Sequence, residues 1–217
     1  MNPSARLWVN EVFYSIQGEG THAGCPCVFV RLAGCNLRCA WCDTAYALNE
    51  GRWMSLEEIL AQVRTWRCAV VEVTGGEPLL QPGVQSLLSA LAEEYETVLL
   101  ETSGALSIAD IDPRVHRIVD IKCPRSGEVA RNYWPNLDLL TARDEVKFVL
   151  LDRSDYEWAR DVVRRYDLPR RCPVLFAPVH AALSTAELAA WILSDRLNVR
   201  LGVQLHKLIW PQAGRGV

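Results

Sequence analysis

The 217-residue chain reads as an α/β protein built as an incomplete, or trimmed, parallel β/α barrel. Two observations carry that reading. Apolar, β-rich runs alternate with helix-period segments almost to the end, as right-handed βαβ units around a parallel sheet require. A complete eight-unit barrel takes about 250 residues, so this chain is short of one. No linker, repeat or low-complexity tract interrupts the pattern, and residues 1–217 are expected to form one domain.

Strands are expected at residues 10–16, 27–33, 69–74, 97–102, 117–121, 145–151, 173–178 and 199–204. Most are rich in Val, Leu or Phe without clean polar alternation, as parallel strands covered on both faces would be. Helices are expected at residues 55–65, 82–94, 154–166 and 184–195. Three of them open with Ser, and Ser55 followed by Glu58 has the form of a capping box. Pro82 suits a first helical turn. In such folds ligands gather at the carboxyl ends of the strands.

Composition excludes several classes. The chain is 50% hydrophobic and 23% charged, which rules out a disordered or collagen-like polymer. A net charge of −3 offers no basic footprint for nucleic acid. No apolar run approaches the roughly 18 residues of a membrane span. The first nine residues lack a secretion-signal pattern, so a cytoplasmic, reducing location is expected.

In that setting the eight cysteines gain meaning. Cys68, Cys123 and Cys172 are scattered, whereas Cys25, Cys27, Cys35, Cys39 and Cys42 crowd one stretch. A tight cluster in a reducing compartment reads as metal binding or redox chemistry rather than cross-linking. Cys35, Cys39 and Cys42 stand at C-x3-C-x2-C spacing on one loop after an expected strand. Structural zinc wants four ligands in pairs, which Cys25 or Cys27 would have to complete. A redox pair of Cys39 and Cys42 leaves Cys35 unexplained. An iron–sulfur cubane held by three thiolates leaves one iron open, the arrangement catalysis uses.

The C-x3-C-x2-C motif, with Thr74-Gly75-Gly76-Glu77-Pro78 at the end of a later strand, resembles the radical S-adenosylmethionine superfamily. Further segments narrow the resemblance. Glu11-Val12-Phe13-Tyr14-Ser15-Ile16-Gln17-Gly18-Glu19-Gly20, Val28-Phe29-Val30-Arg31, Trp41-Cys42-Asp43-Thr44, Asp120-Ile121-Lys122-Cys123-Pro124, Glu145-Val146-Lys147-Phe148-Val149 and Leu205-His206-Lys207-Leu208-Ile209-Trp210 resemble the 7-carboxy-7-deazaguanine synthase family. The similarity runs from about Glu11 to Val217.

That resemblance implies a barrel of the radical S-adenosylmethionine type, working as a homodimer in queuosine and 7-deazaguanine biosynthesis. It implies ring contraction of 6-carboxy-5,6,7,8-tetrahydropterin, with a [4Fe-4S] cluster, S-adenosylmethionine and Mg2+ as cofactors and a small electron-transfer protein as reductant. Cys35, Cys39 and Cys42 match the cluster ligands. Trp41, Cys42, Asp43, Gly76, Asp120, Ile121, Lys122, Ala177, Pro178, Val179 and His180 match the S-adenosylmethionine positions, and Thr44 the magnesium position. Ile16, Gln17, Gly18, Arg31, Thr74 and Val217 match the substrate contacts. The chain departs where some members carry Ser-Pro-Lys (here Asp120-Ile121-Lys122), Gln-Pro (here Ala177-Pro178) or a final proline (here Val217).

Residue chemistry refines these roles. Arg31 suits a substrate carboxylate because guanidinium pairs with it bidentately, although a salt bridge at the barrel rim is the commoner fate of an arginine. Gln17 and Glu19 suit a pterin amide edge. Thr44 serves magnesium only if the substrate adds oxygens. Val217 is expected to present a carboxylate to the pterin, with residues 208–210 anchoring the end against the barrel. Trp53, Trp66, Trp158 and Trp191 read as core and interface aromatics, and Arg160, Arg164 and Arg165 as a solvated helix face. Cys68 and Cys172 read as small buried residues, and His116 and His206 lack metal-ligand spacing. Two other readings compete: an activase that installs a glycyl radical on a protein, and a non-catalytic zinc module.

Overall fold

The computed structural model describes residues 6–217; residues 1–5, part of the stretch read for a secretion signal, lie outside the described residues. The described strands are β1 (Arg6–Ile16), β2 (Pro26–Leu32), β3 (Arg52–Ser55), β4 (Val70–Gly75), β5 (Thr97–Thr102), β6 (His116–Asp120), β7 (Glu145–Leu150), β8 (Val174–Pro178) and β9 (Arg200–Leu201). They join one sheet in the order β3-β1-β2-β4-β5-β6-β7-β8-β9. From β2 to β9 every pairing is parallel, and the sheet is open, with β3 and β9 at its edges. The helices are α1 (Leu56–Arg64), α2 (Val84–Glu94), α3 (Arg153–Tyr166), α4 (Thr185–Ser194) and α5 (Leu205–Ile209).

The parallel expectation fails at one edge. β1 runs antiparallel to both β2 and β3. The loop at residues 17–25 is too short for the crossover of a dozen or more residues that parallel strands need. β3 escapes sequence reading because it has four residues; it is pinned by stacking of Trp53 on Trp8, centroids 6.4 Å apart. The last expected strand shrinks to Arg200–Leu201, since Leu205 already begins α5.

Helix starts follow local chemistry. Ser55 Oγ accepts from Glu58 N at 3.2 Å and Glu58 Oε2 accepts from Ser55 N at 2.6 Å, the anticipated capping box. Pro82 falls before α2, whose cap is Gly83. Asp152 rather than Ser154 caps α3, accepting from Ser154 N at 3.0 Å and Asp155 N at 3.1 Å.

The strands are two-faced after all. Val30, Leu32, Val73, Leu100, Val146 and Phe148 point outward into the core shared with Ile59, Leu87, Leu91 and Val163 of the helices. Each such aliphatic side chain stabilises the fold by roughly 1.5–3 kcal/mol on full burial. Alternate positions carry Arg31, Glu72, Thr74, Glu101, Asp120 and Lys147 to the inner face, where they line a cavity of about 710 Å³. Both faces are buried, so the polar alternation is set by the cavity and not by bulk water.

Candidate active site

The cysteine loop leaves the carboxyl end of β2 and is tied down by backbone. Gly34 N donates to Ala47 O at 2.8 Å, Glu77 N to Gly34 O at 2.8 Å, and Ala40 N to Ser126 O at 3.0 Å. The paired glycines after β4 make this approach possible. A Cβ on Gly75 would stand 2.1 Å from Leu32 O, at φ +149°, and one on Gly76 would stand 2.1 Å from Gly34 O and 2.9 Å from Cys35 Cβ. Only glycine lets β4 press against the loop. Glu77, fully buried, faces the other way: it accepts from Leu79 N at 2.9 Å, Ser103 N at 2.7 Å and Thr102 Oγ1 at 2.9 Å. The acidic residue of the Gly-Gly-Glu-Pro run thus stitches the ends of β4 and β5.

Cys35, Cys39 and Cys42 all line the cavity as free thiols. Burial raises the Cys35 and Cys39 thiols above their usual range, and the proximity of Cys42 raises both further. Cys25 and Cys27 stand at the opposite end of β2, whose seven residues span roughly 20 Å. Cys27 is packed with Phe13 and Phe29, so neither completes a four-thiol set. Among the described residues no three His, Cys, Asp or Glu side chains converge as a single metal ion requires.

Further around the rim, Lys122 Nζ pairs with Asp120 Oδ2 at 2.8 Å. Burial disfavours the Lys122 charge, but Asp120 and the Cys39 thiol outweigh it and hold the ammonium above its usual range. Trp41, Gly76, Asp120, Lys122, Pro178, Val179 and His180 line the cavity. Ile121 and Ala177 do not: the Ile121 side chain sits in the outer core, with its N–H on Lys147 O at 2.8 Å, and Ala177 is buried within β8. The Ile121 side chain thus points away from the cavity, and Ala177 offers no polar side chain, so what either brings to the rim is backbone.

The reversed direction of β1 delivers Ile16, Gln17 and Gly18 to the floor. Gln17 Nε2 donates to Glu72 Oε2. Lys147 Nζ pairs with Glu19 at 2.9 Å and also with Glu101, whose other oxygen accepts from Thr74 Oγ1 at 3.2 Å. Burial, then Glu101, pushes the Glu72 carboxyl well above its usual range. Burial also opposes ionisation of Glu101, but Lys147 outweighs it and keeps that carboxyl low. Arg31 reaches the same chamber with Nε on Glu11 Oε1 at 2.8 Å and its guanidinium 5.6 Å from the Phe13 centroid. It is therefore both a salt-bridge residue and a cavity residue.

The last segment closes one side. Lys207 Nζ pairs with Asp43 Oδ2 at 3.0 Å, and Gln204 Nε2 donates to Glu19 at 2.9 Å and Asp43 at 3.2 Å. His206 lines the cavity although metal spacing gave it no role; its Nδ1 would be 2.6 Å from a Cβ on Gly18. Burial holds its imidazolium below the usual range. Thr44 and Val217 also line the cavity, and Thr44 Oγ1 is 3.8 Å from Cys42 Sγ. The expected anchor at 208–210 is wrong: Leu208 is 68% exposed and Ile209 48%. Arg215 holds the tail instead, with Nη1 on Glu50 at 2.7 Å and its guanidinium 4.0 Å from the Tyr46 centroid.

The family model described as the radical SAM superfamily matches residues 30–166. The 7-carboxy-7-deazaguanine synthase of Chlorobaculum tepidum is 47% identical over the full length of both chains. The chain belongs to the 7-carboxy-7-deazaguanine synthase family of radical S-adenosylmethionine proteins. The synthase of Koribacter versatilis is 44% identical, over 97% of this chain and 100% of its own. A crystal structure of QueE from Escherichia coli superposes with a TM-score of 0.73 at 25% identity, covering 92% of this chain and 94% of that one. Membership in the superfamily implies a [4Fe-4S] cluster and S-adenosylmethionine, and the residues present fit them. Three thiols share one cavity edge, and Asn36 Oδ1, Asn36 Nδ2 and Asp120 Oδ1 are out of solvent with no hydrogen-bond partner among the described residues.

Sequence reading missed Glu72 and Glu101, and quoted Lys147 and His206 without assigning them a place in the site. The signal was present for the first three. A single charged residue at an alternate position of an otherwise apolar strand, as in Val70-Val71-Glu72-Val73-Thr74, marks an inner face that is not packed with hydrocarbon.

Proposed function

We propose that this chain converts 6-carboxy-5,6,7,8-tetrahydropterin to 7-carboxy-7-deazaguanine with release of ammonia. The observation that carries the reading is one cavity joining three rim thiols to a floor of Arg31, Gln17, Glu19 and Lys147. Full-length similarity to proteins of that name supports it. The conversion is redox-neutral, since substrate less ammonia is product.

The cluster and S-adenosylmethionine together supply a 5′-deoxyadenosyl radical when bound. Cys35, Cys39 and Cys42 would hold the cluster, and the rim around Trp41, Asp43, Gly76, Asp120, Lys122 and residues 177–180 the S-adenosylmethionine. Partial desolvation at the cavity edge opposes ionisation of Asp43, but Lys207 and Gln204 outweigh it and hold this half-exposed carboxylate as a fixed acceptor. Thr44 lies on the same edge as a weak oxygen donor for Mg2+, which takes further oxygens from substrate and water.

The floor orients the pterin. Among the described residues the terminal amines of Arg31 donate to no protein acceptor, which leaves them for the substrate carboxylate. Glu19, Gln17 and Thr74 offer acceptors and donors for the pyrimidine edge, while Phe13 and Phe29 form an apolar wall. These apolar walls would leave few waters beside the bound pterin. The same reading includes a homodimer of one-domain chains, a small electron-transfer protein as reductant, and a product destined for 7-deazaguanine nucleosides such as queuosine.

Anaerobic reconstitution with iron, sulfide, S-adenosylmethionine, reductant, Mg2+ and the carboxylated tetrahydropterin, followed by mass analysis, tests the proposal. Product lighter than substrate by one ammonia supports it. Reductive cleavage of S-adenosylmethionine with unchanged pterin would sink it.

A further inference from the structure

Arg215, Tyr46, Glu11 and Arg31 form one continuous chain of contacts. The Arg215 guanidinium lies over the Tyr46 ring at 4.0 Å, Tyr46 Oη donates to Glu11 Oε1 at 3.0 Å, and the same oxygen accepts from Arg31 Nε at 2.8 Å. Arg31 and Val217 line the cavity, while Tyr46 and Glu11 stand behind its wall. The tail has no large apolar anchor after Trp210, and Glu50 fixes Arg215 through both Nη atoms at 2.7 and 3.2 Å.

We infer that Tyr46 is a positioning residue: it links the seating of the 211–217 tail, latched by Arg215, to the orientation of Arg31 against the substrate carboxylate. The physical reason is the sharing of one carboxylate oxygen. Glu11 Oε1 takes two donors, and the Tyr46 hydroxyl restricts where that oxygen can sit. Arg31 follows the oxygen, and its planar fork demands a fixed angle to pair bidentately. The ring of Tyr46 in turn is held by the half-exposed Arg215 cation on its face, a contact of modest strength at such a site. Burial pushes the Tyr46 hydroxyl up to about 12, so it stays a donor throughout the working pH range.

This inference rests on the proposed pterin substrate, and its test separates the two. The Tyr46→Phe variant removes the bond to Glu11 and keeps the ring; Arg215→Met removes the cation and keeps most of the stem. Both are compared with the parent as reconstituted holoenzyme, after thermal melts confirm folding. Binding is measured for the carboxylated tetrahydropterin and for tetrahydropterin lacking the carboxylate. We expect both variants to retain the cluster and uncoupled S-adenosylmethionine cleavage. The preference for the carboxylated ligand should fall about tenfold in each, and the double variant should lose no more than the worse single one. Unchanged preference in Tyr46→Phe, or losses that multiply in the double variant, would overturn the link. Amide exchange needs no pterin: Arg215→Met should speed exchange across residues 211–217 and 44–50 relative to the parent. Unchanged exchange there overturns the latch even if the parent proves to bind no pterin, an outcome that would instead refute the substrate assignment.

Discussion

Lys147 and Glu19, 128 positions apart in the chain, meet at 2.9 Å across the cavity floor. β7 supplies the cation from the wall, and the loop after β1 supplies the carboxylate. With Glu101 on its other side, the ammonium stands between two inward carboxylates.

Lys147→Met should therefore destabilise the apo chain by about 3 kcal/mol, the lower end for breaking a buried ion pair, since Glu19 and Glu101 keep some solvent contact. Urea unfolding under reducing conditions measures it. A loss below about 1 kcal/mol would place the pair in the class of surface bridges.

Glu72 gives a pH signature of definite sign. Its native pKa is raised by burial, above the unfolded value of about 4.3. Below that value both states hold the proton and nothing is lost. As pH rises, the unfolded chain ionises first, so stability falls until pH passes the raised native pKa. Glu72→Gln removes this fall. The variant should match the parent near pH 4 and exceed it at pH 8 by about 1.4 kcal/mol per unit of displacement. Parallel urea midpoints from pH 4 to 8 would contradict the assignment.

Gly76→Ala tests the contact between β4 and the cysteine loop. The added methyl would lie 2.1 Å from the Gly34 oxygen, a backbone atom that cannot rotate away. Expected are a stability loss of about 1–3 kcal/mol and poor retention of iron after reconstitution. Full iron and sulfide content in the alanine variant would show that the loop is set elsewhere.

Cys39→Ala should lose the cluster and all turnover, while Cys172→Ala, at a thiol buried in the outer core, should keep both. Thr44→Ala should keep the cluster and S-adenosylmethionine cleavage but lose most activation by magnesium. Iron assay and a magnesium titration of product formation separate these outcomes.

The outward face of the sheet was legible because packing against helices leaves a plain hydrophobic record: six strands lie within two residues of where the sequence put them. The rim was legible too, since thiol spacing and paired glycines leave few alternatives. The floor was half marked. Lone charges on apolar strands flag Glu72, Glu101 and Lys147, but Gln17 joins them through an antiparallel first strand, and sequence carries no local mark of strand direction beyond loop length. Arg160, read as solvated, in fact reaches Asp195 at 3.1 Å, joining α3 to the end of α4. Such a partner across two elements has no signature on one helix alone.

The direction of β1 divides labour within a single chamber. The rim is carried by loops leaving one end of the sheet, whereas Gln17, Gly18 and Glu19 arrive from the other on a short excursion between β1 and β2. Drift in that excursion can reshape what is held without moving the thiols that start the chemistry. On the proposed assignment, strand polarity lets part of the ligand preference vary apart from radical initiation, and grafting residues 17–25 from a relative is the direct route to altering one while conserving the other.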